Sequence, residues 1–124
     1  MAKKVLLVDD DLYIRDVYEE VLKGEGFDVD TATNGQDGLN KLTNGGYDIV
    51  LLDVMMPTID GIEILEKIQA NPPQQKNGPI VMLTNLALDP VVKTAKEKGA
   101  ATYLIKAEVT PQELIDTVKK LIGE

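Results

Sequence analysis

Cysteine and histidine are both absent from the 124 residues. Without cysteine there can be no disulfide, no thiolate nucleophile and no Cys-based zinc or iron–sulfur site. Without histidine the most common general base is missing, a Ser-His-Asp triad is excluded, and the chain cannot itself carry a phosphohistidine. Positive charge is also scarce: 13 Lys and Arg face 21 Asp and Glu, for a net charge of −8. A nucleic-acid binder would present a basic face, so this balance argues against one. Long apolar runs are missing too. The run Val5–Val8, after Met1-Ala2-Lys3-Lys4, stops at Asp9-Asp10-Asp11. It is too short for a signal peptide or a membrane span, so no membrane association and a cytoplasmic location are expected. What remains is an acidic domain whose chemistry rests on carboxylates, lysine, hydroxyls, backbone and a hard metal ion.

At roughly 100–200 residues per domain, residues 1–124 make one domain, with no repeat, no low-complexity tract and no linker. Its size allows burial of about two thirds of the unfolded surface, enough for a core without staples. The one loop-rich stretch, Asn71 to Pro79, is an internal connection. Apolar runs recur at Val5–Val8, Ile49–Leu52, Ile80–Leu83 and Tyr103–Ile105. Continuous runs of this length suit strands covered on both faces of a parallel sheet. Phe27-Asp28-Val29-Asp30-Thr31 alternates instead and reads as a half-exposed edge strand.

Helical patterns lie between them. Ile14, Val17, Tyr18, Val21 and Leu22 form an apolar stripe that Gly24 is placed to stop. Ile62, Leu65 and Ile68 mark another helix, with Asp60 as N-cap and Glu63 three residues on. Pro90 and Gly99 bracket a third, and Thr110-Pro111-Gln112-Glu113 is a capping box opening the last. The weakest helix runs from about Asn34 to Thr43, with Leu39 and Leu42 on its stripe. The resulting strand–helix alternation predicts an α/β, flavodoxin-like doubly wound (βα)5 fold, its five-stranded parallel sheet in the order 2-1-3-4-5.

In such folds sites form at the carboxyl ends of the strands, where strand order reverses. The polar residues that follow the apolar runs are Asp9, Asp10 and Asp11, then Asp53, then Thr84, then Lys106. Singly each has an ordinary explanation: Asp11 as a helix cap, Thr84 bonding its own turn, Lys106 solvated. Together they are harder to dismiss, because acids at adjacent strand ends repel one another and require positive charge among them. Lys106 supplies one charge, and an oxygen-rich pocket without His or Cys suits Mg²⁺. Carboxylate, divalent ion, lysine and hydroxyl together are equipped for phosphoryl transfer, the carboxylate serving as nucleophile.

The sequence resembles the receiver domain of bacterial two-component response regulators, in its stand-alone form. The resemblance is carried by Val5-Leu6-Leu7-Val8-Asp9-Asp10-Asp11, by Ile49-Val50-Leu51-Leu52-Asp53-Val54-Met55-Met56-Pro57 with Asp60-Gly61, by Val81-Met82-Leu83-Thr84, and by Gly99-Ala100 with Tyr103-Leu104-Ile105-Lys106. It implies that Asp53 accepts a phosphoryl group from a sensor histidine kinase or phosphotransfer protein. It implies Mg²⁺ held by Asp9, Asp10, Asp53 and the backbone carbonyl of Met55, with Asp10 a direct ligand and Asp9 acting through water. The triple Asp leaves the register open by one; the first two are chosen because Asp11 is better placed as a cap. Thr84 corresponds to the switch hydroxyl, Lys106 to the phosphoryl-contacting lysine, and Tyr103 to the switch aromatic, which could equally be a ring packed at the edge of the last strand. Output is expected through protein contact on the face of the fourth helix, fifth strand and fifth helix, since no DNA-binding segment follows residue 124, from a monomer or a phosphorylation-dependent dimer.

Two positions depart from the family pattern. Ala107 stands where proline, in a cis peptide, often follows the lysine, so either the loop has another shape or it bears the ~2.5–4 kcal/mol of a non-proline cis bond. Asn85 stands where a small residue is common, and its side chain either narrows access or hydrogen-bonds the phosphoryl group. Met55 and Leu86 are both apolar at positions flanking the attacking water, which predicts slow loss of phosphate unless they simply pack on their loops. Other classes fit less well. A haloacid-dehalogenase-like phosphatase wants an acid two residues after its nucleophile, where Met55 stands. A flavodoxin- or Rossmann-type binding module is unsupported by any G-x-G-x-x-G or G-x-x-x-x-G-K-[ST]. The intact charged set argues against a degenerate receiver kept as a scaffold, and the expected role is a switch rather than a turnover enzyme.

Overall fold

A computed structural model describes residues 2–85 and 89–123. Strands and helices alternate along the chain: β1 (Lys4–Val8), α1 (Leu12–Gly24), β2 (Asp28–Ala32), α2 (Gly35–Asn44), β3 (Ile49–Asp53), α3 (Gly61–Ala70), β4 (Ile80–Thr84), α4 (Asp89–Glu97), β5 (Thr102–Ile105) and α5 (Pro111–Leu121). The strands form one five-stranded parallel sheet in the order β2-β1-β3-β4-β5, as the alternating second segment predicts.

Side chains alternate across the sheet, and each face has its own core. Leu6, Val8, Val50, Leu52 and Met82 pack with Leu42, Ile64, Leu65 and Ala95 under α2, α3 and α4. Val5, Leu7, Ile49, Leu51, Val81 and Leu83 pack with Tyr18, Leu22, Leu114 and Val118 under α1 and α5. β1 and β3 are apolar at successive positions because both of their faces are covered. β5 was expected to be buried like them, but every one of its residues is only half-buried. It is the second edge of the sheet, so an apolar run there has a neighbour on one side only.

The helix starts follow their capping chemistry. Asp11 accepts from the backbone N–H of Tyr13 and Ile14, Asn34 from Asp37, Asp60 from Glu63 and Thr110 from Glu113. Asp11 is therefore occupied at the start of α1, with its side chain exposed, whereas Asp9 is buried. Among the described residues no helix is long and apolar enough to cross a membrane.

Candidate functional site

Alternation along the strands decides which polar groups meet. Asp9 follows Leu7 by two residues, Asp53 follows Leu51 and Lys106 follows Leu104, so all three continue the face covered by α1 and α5. β1 and β3 are neighbours, so Asp9 and Asp53 end up side by side at the switch point between these two strands. Thr84 continues the opposite face after Met82, and Tyr103 lies level with Met82 on the adjoining strand.

Asp9 is fully buried, Asp53 is 2% exposed, and Asp10 is exposed at the rim. Carboxylate oxygens of these three lie within 4.8 Å of one another. Lys106 Nζ stands between the two buried acids, 2.8 Å from Asp9 Oδ2 and 3.0 Å from Asp53 Oδ2. Backbone donors fix the other oxygens: Asp11 N–H donates to Asp9 Oδ1 at 2.9 Å and Met55 N–H to Asp53 Oδ1 at 3.2 Å. Burial, and then the Asp9 charge, push the Asp53 carboxyl up to about 7 against the pull of Lys106. Lys106 is held above its ordinary range: burial works against its charge, and the two carboxylates outweigh that.

Three carboxylates against one lysine leave two negative charges without a counter-charge when all are ionised. A divalent cation balances that excess, and an all-oxygen donor set open at Asp10 suits Mg²⁺, which keeps several waters and few protein ligands. The donor set therefore fits the ion.

Thr84 is buried at the end of β4. Tyr103 is half-buried, packs against the core under α4, and with Thr84, Val54, Met82 and Ala95 lines a cavity of about 10 Å³. Met55 is 73% exposed, and with Leu12 and Tyr13 it forms the set of exposed large apolar side chains among the described residues. Leu86, paired with Met55 in the expectation of slow phosphate loss, lies outside the described residues. Asn85 is exposed directly after Thr84. No described peptide bond is cis, so the chain after Lys106 takes another shape: Glu108 and Val109 N–H both donate to the Ile105 carbonyl.

Three features near the site were given no role of their own by sequence reasoning. Arg15 Nη1 donates to the Asp9 backbone carbonyl at 2.9 Å, a contact that an arginine one turn into a helix does not announce. Gly61 approaches so closely that a Cβ would collide with the Asp53 carbonyl oxygen, and its N–H donates to Val54 O at 2.9 Å. Tyr18 belongs to the apolar stripe of α1, yet its buried hydroxyl has no hydrogen-bond partner.

Residues 5–119 match the family described as response regulator receiver domain. Among curated proteins, the chain is 42% identical to the transcriptional regulatory protein CpxR homolog of Haemophilus influenzae over 96% of its own length and 50% of the relative's. It is 35% identical to the transcriptional regulatory protein ResD of Bacillus subtilis over 96% of the chain and 48% of that protein. The chain thus spans about half the length of the curated relatives it matches. Among solved structures, it superposes on a CheY-like response regulator receiver domain protein from Methanospirillum hungatei with a TM-score of 0.88 at 30% identity, covering 99% of this chain and 95% of that one. It also resembles the receiver domain of the sensor histidine kinase PA1611 of Pseudomonas aeruginosa, solved with a magnesium ion coordinated in its active-site cleft, with a TM-score of 0.85 at 28% identity and complete coverage of both chains.

Proposed function

The chain belongs to the response regulator receiver domain family, whose members are signalling switches and not turnover enzymes, and from that premise we propose that it is switched by a phosphoryl group on Asp53. One observation carries the reading: Lys106 Nζ bridges the two buried carboxylates of Asp9 and Asp53, beside the open Asp10. Two carboxylates, a lysine and an open third acid lie within a few ångströms at the topological switch point, which supports reading them as nucleophile, cation and metal ligands.

One Asp53 oxygen attacks phosphorus as the bond from phosphorus to the donor imidazole nitrogen breaks; the donor ring, protonated on its other nitrogen, leaves as neutral imidazole and an acyl phosphate remains on Asp53. Asp9, Asp10, Asp53 and the Met55 carbonyl would hold Mg²⁺, which when bound supplies charge neutralisation of the transferring group. Asp53 must be deprotonated to attack; burial and the Asp9 charge oppose that, Lys106 favours it, and a cation bound at the site would favour it further. Lys106 then contacts the new phosphoryl oxygens, and Thr84 reaches them across the end of β4. Those contacts exist only in the phosphorylated state, so they bias an existing equilibrium between two conformations. Tyr103, behind Thr84 at the small cavity, moves with it.

The phosphodonor is a histidine kinase or phosphotransfer protein, because this chain has no histidine of its own. Exposed Leu12, Tyr13 and Met55 give that donor an apolar surface near the pocket. The downstream partner is a protein that docks on α4, β5 and α5, where β5 is an uncovered edge beside an open groove of about 350 Å³ lined by Tyr103, Ile105 and Glu113. The net charge of −8 disfavours direct contact of this domain with nucleic acid. The decisive experiment incubates the chain with Mg²⁺ and acetyl phosphate and measures intact mass. One phosphoryl adduct per chain is expected, and none on Asp53→Asn. Equal labelling of both chains would reject Asp53 as the acceptor.

A further inference from the structure

Of the 13 basic residues of the chain, Arg15 is the one arginine, and it stands at the end of the first turn of α1. A cation is poorly placed there, because the amino end of a helix already carries positive partial charge. Its half-buried side chain reaches back across the turn that precedes the helix, and Nη1 donates to the Asp9 backbone carbonyl at 2.9 Å. That carbonyl belongs to a fully buried residue beyond the end of β1, and no backbone N–H among the described residues donates to it. Arg15 thus satisfies an acceptor that the sheet leaves open.

The contact also bears on the next residue. The peptide on the amino side of Asp10 is held by Arg15 through the Asp9 carbonyl. The peptide on its carboxyl side is held by Asp9, whose Oδ1 accepts from the Asp11 N–H at 2.9 Å. The Arg15 backbone N–H adds a third tie, donating to the Asp11 carbonyl at 3.0 Å. Once the peptide planes on both sides of a residue are held, its two backbone dihedrals are fixed. Asp9 and Asp53 are buried and share Lys106, whereas Asp10 is exposed and has no such packing. Even so, its carboxylate comes within 4.8 Å of theirs.

We infer that Arg15 is a positioning residue for the metal site: by holding the Asp9 carbonyl it orients the peptide that carries Asp10, and so keeps that exposed carboxylate beside Asp9 and Asp53. The inference rests on reading this cluster as the Mg²⁺ site of a receiver. It gives Arg15 an effect opposite in sign to that of its charge. A guanidinium beside an acidic cluster repels a second cation, so by charge alone its loss would tighten Mg²⁺ binding. By positioning, its loss weakens binding, because Asp10 must then be ordered as the ion arrives.

The test titrates MgCl₂ at constant ionic strength into wild type, Arg15→Met and Arg15→Lys, following backbone amide shifts by NMR. Urea midpoints are taken without divalent ion. Arg15→Met keeps an apolar stem and removes the charge and the donors. Its Kd for Mg²⁺ should rise about tenfold, the scale of one hydrogen bond to a charged group. Arg15→Lys keeps the charge with a shorter reach and should fall between the two. It carries the comparison alone if Arg15→Met shows no cooperative urea transition. Val118→Ala, in the core under α5, should lower the urea midpoint and leave the Kd unmoved, which separates ordering of Asp10 from loss of stability. An unchanged or lower Kd in Arg15→Met, or in Arg15→Lys where it stands alone, overturns the inference. So does a Val118→Ala chain whose Kd rises as much. Either result leaves the receiver reading intact, since that is judged by the phosphoryl adduct on Asp53. Wild type that binds no Mg²⁺ overturns the metal site, and this inference with it.

Discussion

Burial and the Asp9 charge raise the Asp53 carboxyl to about 7, whereas an aspartate in an unfolded chain titrates near ~3.9. Between those values the folded state holds a proton that the unfolded state does not. The stabilising contribution is complete below about pH 4 and is lost as pH rises through 7. Asp53→Asn removes the titration and the repulsion from Asp9 together. At pH 8 without divalent metal it should unfold at higher urea than wild type, by on the order of 1–3 kcal/mol, and the gap should close toward pH 5. A gap that is absent at pH 8, or widens on acidification, would show that Asp53 is ionised without penalty. Of the residues involved, Asp9, Asp53 and Lys106 are legible in the sequence because each follows an apolar run and so must sit at a strand end. Arg15 is not legible, because a helix position tells which face a side chain takes but not which backbone carbonyl lies in reach of its tip.

Local chemistry announces the helices well, since a cap is a contact between residues two or three apart. Asp11, Asp60 and Thr110 each accept the N–H that the sequence pattern assigns them. Connections are less readable, because their shape is imposed by what they join. Thr58, in the turn between β3 and α3, has φ 71°, the one non-glycine with positive φ among the described residues. A β-branched residue is poorly suited to the left-handed region. Neighbouring contacts hold it there: Ile59 N–H donates to Pro57 O at 2.8 Å, and Gly61 N–H closes onto Val54. Its side chain is exposed, so little packing is lost on replacement. Thr58→Asn, whose side chain tolerates this backbone, should raise stability by about 0.5–1 kcal/mol. The expected sign is a higher urea midpoint at unchanged slope; an unchanged or lower midpoint would mean that the turn stores no strain at Thr58.

At the scale of the molecule, the strand order was readable because the strands differ in pattern: β1 and β3 carry continuous apolar runs, Val5–Val8 and Ile49–Leu52, while β2 alternates and must lie outside them. The half-burial of β5 was not readable, because Thr102–Ile105 carries an apolar run at a sheet edge, a pattern consistent with a surface kept for a partner. The same sheet couples the pocket to global stability, since Asp9 and Asp53 come together only when β1 and β3 pair. A ligand that needs both carboxylates binds the folded state alone, and at a hundredfold excess over its Kd adds ~2.7 kcal/mol. In a domain of this size that raises Tm by roughly 10 °C. Mg²⁺ must displace the Asp53 proton below pH 7, so its affinity should fall about tenfold per pH unit there, near ~1.4 kcal/mol of stabilisation each. Thermal melts in MgCl₂ and in NaCl of equal ionic strength separate this from screening of the −8 net charge, which either salt provides. The excess effect of magnesium should be largest at pH 8 and shrink toward pH 6. Equal effects of the two salts, or an excess that grows on acidification, would remove the metal from the Asp9, Asp10 and Asp53 cluster.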